Sequence, residues 1–467
     1  MINVILKGHD NTYGISDILR LFCDNTREDK QNNIVTADYP EDIDIISEIH
    51  DGKSYTYRSG DERPSGDDMS LIPVKRAVKR SIYVYMCSMT GRSFPWGCLT
   101  GIRPTLVAVE EDYDPIRLTS DYLVREDKAR LACATALNEQ SILDGVPVND
   151  INIYIGIPFC PSRCEYCSFI SADATGHLDL LDKYEEALET ELRELSGSLS
   201  RRVASVYIGG GTPTVFSEKT FDRLMDAVRR YIVFEGDTEF TVEAGRPDTI
   251  TPAKLESMRS HGAGRICINP QTMNSDTLRS LNRRHSAEDV IRAYNEAREA
   301  GFEVINMDLI AGLKYETDSD LIASVRKLID LKPENITIHS LYKKRRAKMS
   351  SEDVLDKAGT RGNIDDAVKA AYGFLYDSGY KPYYMYRQKD TGHGLENVGF
   401  SLPGYECRYN VVMMTDSRDV LSIGAGGMSK RIFPEGRYER CPCTKDIYEY
   451  IRNTSKIADK KTRFFYE

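Results

Sequence analysis

The run Asn152-Ile153-Tyr154-Ile155-Gly156-Ile157-Pro158-Phe159-Cys160 passes directly into Pro161-Ser162-Arg163-Cys164-Glu165-Tyr166-Cys167. Isoleucines at every second position make residues 152–157 a strand, and Pro158 stops it. The remainder puts three thiols at Cys-x3-Cys-x2-Cys spacing on one short loop. A strand that delivers a reactive loop at its C-terminal end is the start of a βα unit, and the following sequence repeats that unit.

Downstream, short β-rich runs alternate with longer helical ones. Strands are expected at 203–208, 240–244, 265–269, 304–310 and 336–340. Helices are expected at 178–195, from an N-cap at Ser217, at 252–261, 276–281, 287–300 and 319–331. Strands separated by helices imply right-handed crossovers and a parallel sheet. The span 151–340 is short of the ~250 residues of an eight-unit barrel, so the expected fold is α/β, a partial (β/α)6 barrel over residues 149–345.

An N-terminal α+β domain of unknown role is expected at 1–148, with β-like runs at 2–6 and 43–49, a helix at 73–87 and a connecting segment at 93–105. The C-terminal extension, 346–467, is basic, then helical (364–378), then rich in Tyr, Gly and Pro. It is expected to cover the open side of the barrel and the substrate.

The chain has 467 residues and a formal net charge of −10, which argues against wholesale nucleic-acid binding. No run approaches ~18 apolar residues and no signal peptide is evident, so no membrane span and a cytoplasmic location are expected. Eleven cysteines, an odd number, read as thiols or metal ligands rather than bridges. Cys23, Cys87, Cys98, Cys133, Cys267 and Cys407 read as small buried hydrophobes, and Cys441 and Cys443, which flank Pro442, as surface thiols or as a metal-binding pair.

The chemistry-bearing residues fall at strand ends, where parallel α/β barrels build active sites. The first strand leads to Cys160, the second to Gly209-Gly210-Gly211-Thr212-Pro213, the third to Glu243, the fourth to Gln271, the fifth carries Asp308, and the sixth ends at His339. Three thiolates cannot close a structural zinc site, and no nearby His completes one. On a four-iron cubane they leave one iron open. Zinc with a distant fourth ligand, or three bare thiols, are the alternatives. Phe159, Tyr166 and Phe169 would exclude water around the cysteines. Carboxylates such as Glu243 and Asp308 also fit plain capping or solvated roles.

Cys160 to Cys167 resembles the signature of the radical S-adenosylmethionine superfamily. The resemblance implies one 4Fe-4S cluster on Cys160, Cys164 and Cys167, whose open iron chelates the methionine end of S-adenosylmethionine. Reductive cleavage would then yield a 5′-deoxyadenosyl radical. It implies catalytic roles for Tyr154 and the three cysteines. Cofactor contacts follow from Tyr154, Phe159, Tyr166, Gly210, Gly211 and Thr212. Glu243 and Arg283 match contacts to the methionine end, and Gln271 and Asp308 match contacts to the ribose.

The run from Tyr154 to Cys160, the glycine turn, Leu99 to Thr105, Asn269 to Met273, Pro403 to Asn410 and Ile423 to Gly427 resemble the oxygen-independent coproporphyrinogen III dehydrogenase family, in its HemZ branch. That implies an oxidoreductase of haem biosynthesis that turns two propionates of coproporphyrinogen III into vinyl groups, with ferredoxin or flavodoxin as electron donor. Alternatives within the resemblance are a haem-binding chaperone and an anaerobic haem methyltransferase or ring-opening enzyme. Phe169 stands where the dehydrogenase branch has a fourth Cys, and Gly156 where it has a His. Lys314 and Asn282 also depart from the family pattern. Lys343, Lys344, Arg345, Arg346 and Lys348 read either as a solvated loop or as a carboxylate-binding cluster. Tyr383, Tyr384, Tyr386 and Arg387 read as core or as site lining. The oligomeric state is left open.

Cys164→Ala should abolish cluster assembly after anaerobic reconstitution, measured as iron per chain and the visible absorbance of the cluster. Full iron content in that variant would refute the cluster reading.

Overall fold

The computed structural model describes residues 1–64, 66–68, 73–167, 172–342, 364–388 and 394–467. Two compact units are present, Met1–Leu137 with Met385–Glu396, and Asn138–Tyr384 with Asn397–Glu467.

In the first unit β1 (Ile2–Lys7), β2 (Asp24–Asp29), β3 (Ile34–Asp38), β4 (Ile43–His50), β5 (Lys53–Arg58) and β6 (Asp67–Asp68) form one sheet in the order β2-β3-β1-β4-β5-β6. β1 buries Ile2, Val4 and Leu6, the alternation of a sheet with one apolar face. Helices Thr12–Phe22 and Val74–Thr90 pack on each other and on the sheet. Asn11 caps the first, its side chain accepting from Gly14 N–H, and Gly91 ends the second in the left-handed conformation. Helices Pro115–Tyr122 and Glu126–Asp144 were not visible in the sequence pattern. The second buries Ala129, Ala132 and Ala136 while Leu137 is exposed, so alanines blur its apolar stripe.

In the second unit the expected strands appear as β7 (Ile151–Ile157), β10 (Val203–Gly210), β11 (Glu239–Glu243), β12 (Arg265–Cys267), β13 (Val304–Ala311) and β14 (Asn335–Ser340). Each is parallel to the next, with helices between them, which is the (β/α)6 partial barrel. Two short strands, β8 (Phe159–Cys160) and β9 (Ala172–Asp173), pair beside the cysteine loop. Nearly every residue of β7 and β10 is buried, as in sheets covered on both faces. Ser217 does cap its helix, accepting from Thr220 N–H at 3.1 Å. β12 is shorter than expected, ending at Cys267, although Ile268 N–H still bonds to Asn306 O at 2.8 Å.

The described strands of residues 346–467 join the barrel sheet. β15 (Lys381–Arg387), β16 (Glu396–Ser401), β17 (Asp419–Ile423), β18 (Met428–Ile432) and β19 (Tyr438–Pro442) extend the same sheet to eleven strands, in the order β15-β16-β14-β13-β12-β11-β10-β7-β17-β18-β19. β17 runs parallel to β7, and β16 antiparallel to β14. Short strands rich in Gly, Tyr and Pro hide this in the sequence, because their apolar runs are too brief to separate from turns. The same strands correct the reading of Cys441 and Cys443 as surface thiols. Cys441 lies opposite Ser429 in the β18–β19 ladder, Cys443 N–H bonds to Gly427 O, and both side chains are buried.

Helix Leu178–Ser196 packs along the last helix, Ile447–Tyr466, around a buried polar knot. Glu191 pairs with Lys461 and accepts from Tyr450 Oη at 2.5 Å and Gly424 N–H at 2.9 Å. Lys461 also donates to Ser422 O at 2.6 Å. Lys461→Met would leave the Glu191 charge buried without its cation, and should lower unfolding stability by about 3–5 kcal/mol, read from the denaturant midpoint. A change within about 0.5 kcal/mol would contradict this role.

Candidate functional site

Two strand ends meet first. Gly211 N–H bonds to Ile157 O and Thr212 N–H to Phe159 O, both at 2.7 Å, so the glycine turn after β10 lies flat against the cysteine strand. A Cβ on Gly211 would stand 2.4 Å from Phe159 O, and Gly210 has φ +114°, so the turn needs glycine at both positions. Thr212 Oγ1 then donates to Cys160 Sγ at 3.5 Å.

The far side of the loop is clamped by the turn after helix Ser275–Ser280. Glu165 N–H bonds to Leu281 O, Ser162 Oγ donates to Asn282 O at 3.0 Å, and Asn282 Nδ2 donates to Arg163 O at 2.9 Å. Asn282 itself is left-handed, φ +60°, a conformation that Asn tolerates better than most residues. Two buried guanidiniums face Cys164. Arg246 Nη1 lies 3.7 Å and Arg283 Nη1 4.0 Å from its Sγ. Positive charge at a thiolate stabilises it and the anionic cluster it would hold.

Arg246 escaped the sequence reading. The available signal was its place three residues past Glu243, just beyond a strand end. It is held by Asp248, whose carboxyl is opposed by burial but kept well below the usual range by hydrogen bonds from His285 and Arg246. Arg283 donates to Gly245 O at 2.7 Å, Asn269 O at 2.6 Å and Tyr166 Oη at 2.9 Å. Tyr166 packs on Leu281, Ile310, Leu313 and Leu341.

Glu243 is partly buried beside the turn, accepting from Tyr207 Oη at 2.6 Å and Gly210 N–H at 3.1 Å. Burial, with the Asp308 charge adding to it, pushes its carboxyl up to about 7. Tyr154, Tyr207 and Tyr409 stack nearby, with ring centroids 4.5 Å apart for Tyr207–Tyr409 and 6.2 Å for Tyr154–Tyr409. Phe159 is fully buried against Tyr184 at 5.2 Å.

Gln271 and Asp308 come together across β13. Gln271 is left-handed, φ +71°, and its N–H bonds to Asp308 O while its carbonyl accepts from Ile310 N–H. Asp308 accepts from Asn306 Nδ2 at 2.8 Å and lies 3.7 Å from His339 Nε2. Tyr383 and Tyr384 are core residues, Arg387 is also buried, and Tyr386 is half-buried. Phe169 and the run Lys343 to Lys348 lie outside the described residues.

Among the described residues no three Cys, His, Asp or Glu side chains converge on a single-ion position. A cubane asks for something else, since each thiolate binds a different iron. The donors aimed at the cysteine sulfurs and the glycine cradle beside them fit such a group and a ligand lying against it.

Residues 154–328 match the radical SAM superfamily. Over 422 residues the chain is 34% identical to the oxygen-independent coproporphyrinogen-III oxidase-like protein HemZ of Bacillus subtilis (strain 168), covering 85% of this chain and 83% of that protein. It is 35% identical over 278 residues to the heme chaperone HemW of the same organism, covering 58% of this chain and 69% of HemW. The structure of coproporphyrinogen III oxidase (HemN) from Escherichia coli, described as a radical SAM enzyme, superposes with a TM-score of 0.54 at 23% identity, over 69% of this chain and 73% of that one. The chain belongs to the radical SAM superfamily, in the family of HemZ-like coproporphyrinogen oxidase-like proteins. Its cofactors are accordingly a 4Fe-4S cluster and S-adenosylmethionine. No helix among the described residues is long and apolar enough to cross a membrane.

A carboxyl held protonated by the fold stabilises the native state below its unfolded pKa, and that contribution is lost as pH rises through about 7. Removing Glu243's charge should therefore flatten the pH profile. From pH ~5 to ~8 the parent should lose about 3 kcal/mol more stability than Glu243→Gln, measured by urea unfolding across that range. Parallel profiles would show that Glu243 ionises freely.

Proposed function

We propose that this protein is an oxygen-sensitive oxidoreductase that uses its cluster and S-adenosylmethionine to act on a porphyrinogen, decarboxylating the propionates of coproporphyrinogen III to vinyl groups. The observation that carries the reading is the cysteine loop hydrogen-bonded to the glycine turn, with Glu243 fixed beside it. Relatedness to HemZ over most of both chains supports the tetrapyrrole substrate.

Cys160, Cys164 and Cys167 would hold the cluster, with Thr212, Arg246 and Arg283 balancing its negative charge. When bound, the cluster and S-adenosylmethionine supply a one-electron cleavage that yields an alkyl radical for hydrogen abstraction. The chain's own residues position that chemistry. Glu243, aimed by Tyr207 and Gly210, would receive the ammonium of the methionine end, and the backbone of Gly210 and Gly211 would let the ligand lie close. Gln271 and Asp308 would take the ribose hydroxyls. Tyr154, Phe159 and Tyr166 keep water from the site, where a radical would otherwise be quenched. Reducing power comes from a ferredoxin or flavodoxin, and the compartment is the cytoplasm.

A second reading, haem binding without turnover, is favoured by the HemW relationship and by His339, a partly exposed imidazole beside Asp308 at a strand end. Anaerobic incubation of the reduced protein with S-adenosylmethionine and either coproporphyrinogen III or haem separates the two. Substrate-dependent 5′-deoxyadenosine with a vinyl product is the expected result. Haem bound without cleavage would replace it with the chaperone reading. Glu243→Ala should assemble the cluster but bind S-adenosylmethionine at least about tenfold more weakly, and unchanged binding would remove Glu243 from the site.

A further inference from the structure

We infer that the seam between helices Leu178–Ser196 and Ile447–Tyr466 is the docking face for a small acidic electron-carrier protein that reduces the cluster. The inference rests on the cluster reading above and adds where the electron enters.

A groove runs along this seam. Its first part, a cavity of about 740 Å³, is walled by His177, Leu180, Lys183, Tyr448, Ile451 and Arg452. A second part, about 390 Å³, shares Lys183, Ile451 and Arg452 and reaches Lys456. Asn453, at φ −117° and ψ 18°, breaks the regular turn of the last helix along this stretch.

The groove is cationic on a chain whose net charge is −10. Lys183, Arg452 and Lys456 are exposed, and among the described residues neither lysine pairs with a carboxylate. They outnumber Asp179 and Glu186 on the same walls. Such a patch steers an acidic partner toward the seam.

Two routes join the groove to the cluster ligands. Cys160 O accepts from Ala174 N–H at 2.9 Å, and Ala174 O accepts from His177 N–H at 3.3 Å, so the groove wall begins one hydrogen-bonded turn from a cluster cysteine. The second route is aromatic. Tyr450, between the groove residues Tyr448 and Ile451, contacts Tyr184 at 5.2 Å, and Tyr184 contacts Phe159 at 5.2 Å, next in chain to Cys160. Tyr184 is tied to the same strand by its hydroxyl, which donates to Gly156 O at 2.7 Å. A carrier seated in the groove gives up one electron and the cluster gains it. No bond or proton moves.

The test uses the full-length, anaerobically reconstituted protein and a purified acidic bacterial flavodoxin as probe. Binding is measured by calorimetry at low and high ionic strength, and cluster reduction by flavodoxin hydroquinone by stopped-flow absorbance. The triple variant Lys183→Glu, Arg452→Glu, Lys456→Glu should bind and be reduced at least about tenfold more weakly at low salt, with its salt dependence flattened. Deoxyadenosine formation driven by dithionite, which needs no docking, should be unchanged. An unchanged Kd and reduction rate in the variant would overturn the docking face. Failure of the cluster reading would show separately, as a dithionite-reduced parent that forms no deoxyadenosine.

Discussion

Two backbone hydrogen bonds organise the site: Gly211 N–H to Ile157 O and Thr212 N–H to Phe159 O. They can form only because position 211 has no side chain. They bring the glycine turn against the cysteine strand and place Thr212 on Cys160. They also leave Gly210 N–H free to meet Glu243. Removing that contact would part the cluster ligands from the groups expected to hold the methionine end. The chemistry is spread over six strand ends, but its geometry is set by one close approach between two of them.

The barrel was legible because its strands are rich in β-branched residues and alternate with helices. Cys160, Gly210, Glu243, Gln271 and Asp308 stand out in the sequence because strand ends converge in such folds. What the sequence withheld is what depends on distant partners. Arg246 sits on Cys164 only because the chain between β11 and helix Pro252–Ser260 turns back under the loop. Arg283 and Tyr166, far apart in sequence, find each other through Leu281. The five late strands were missed because their polar, Gly, Tyr and Pro residues resemble turns. Cys441 and Cys443 were misplaced with them.

The polar knot of Glu191, Lys461 and Tyr450 shows a different kind of constraint. A charge this deeply enclosed adds little net stability over an apolar core, yet it penalises every packing in which its partner is absent. Here it fixes the last helix against helix Leu178–Ser196 in one register. Tyr184, on that same helix, accepts from Ala425 N–H and donates to Gly156 O. The terminal helix is thereby coupled to the strand that carries the first cysteine.

The place of β17 beside β7 bears on the order of events during biogenesis. One neighbour of the cysteine strand, β10, emerges from the ribosome soon after it, whereas the other is residues 419–423. Until those residues appear, β7 is an open edge, and its loop has neither its final support nor its final shielding. The strand that leads to the first cysteine therefore completes its pairing only with residues far downstream of it in the chain.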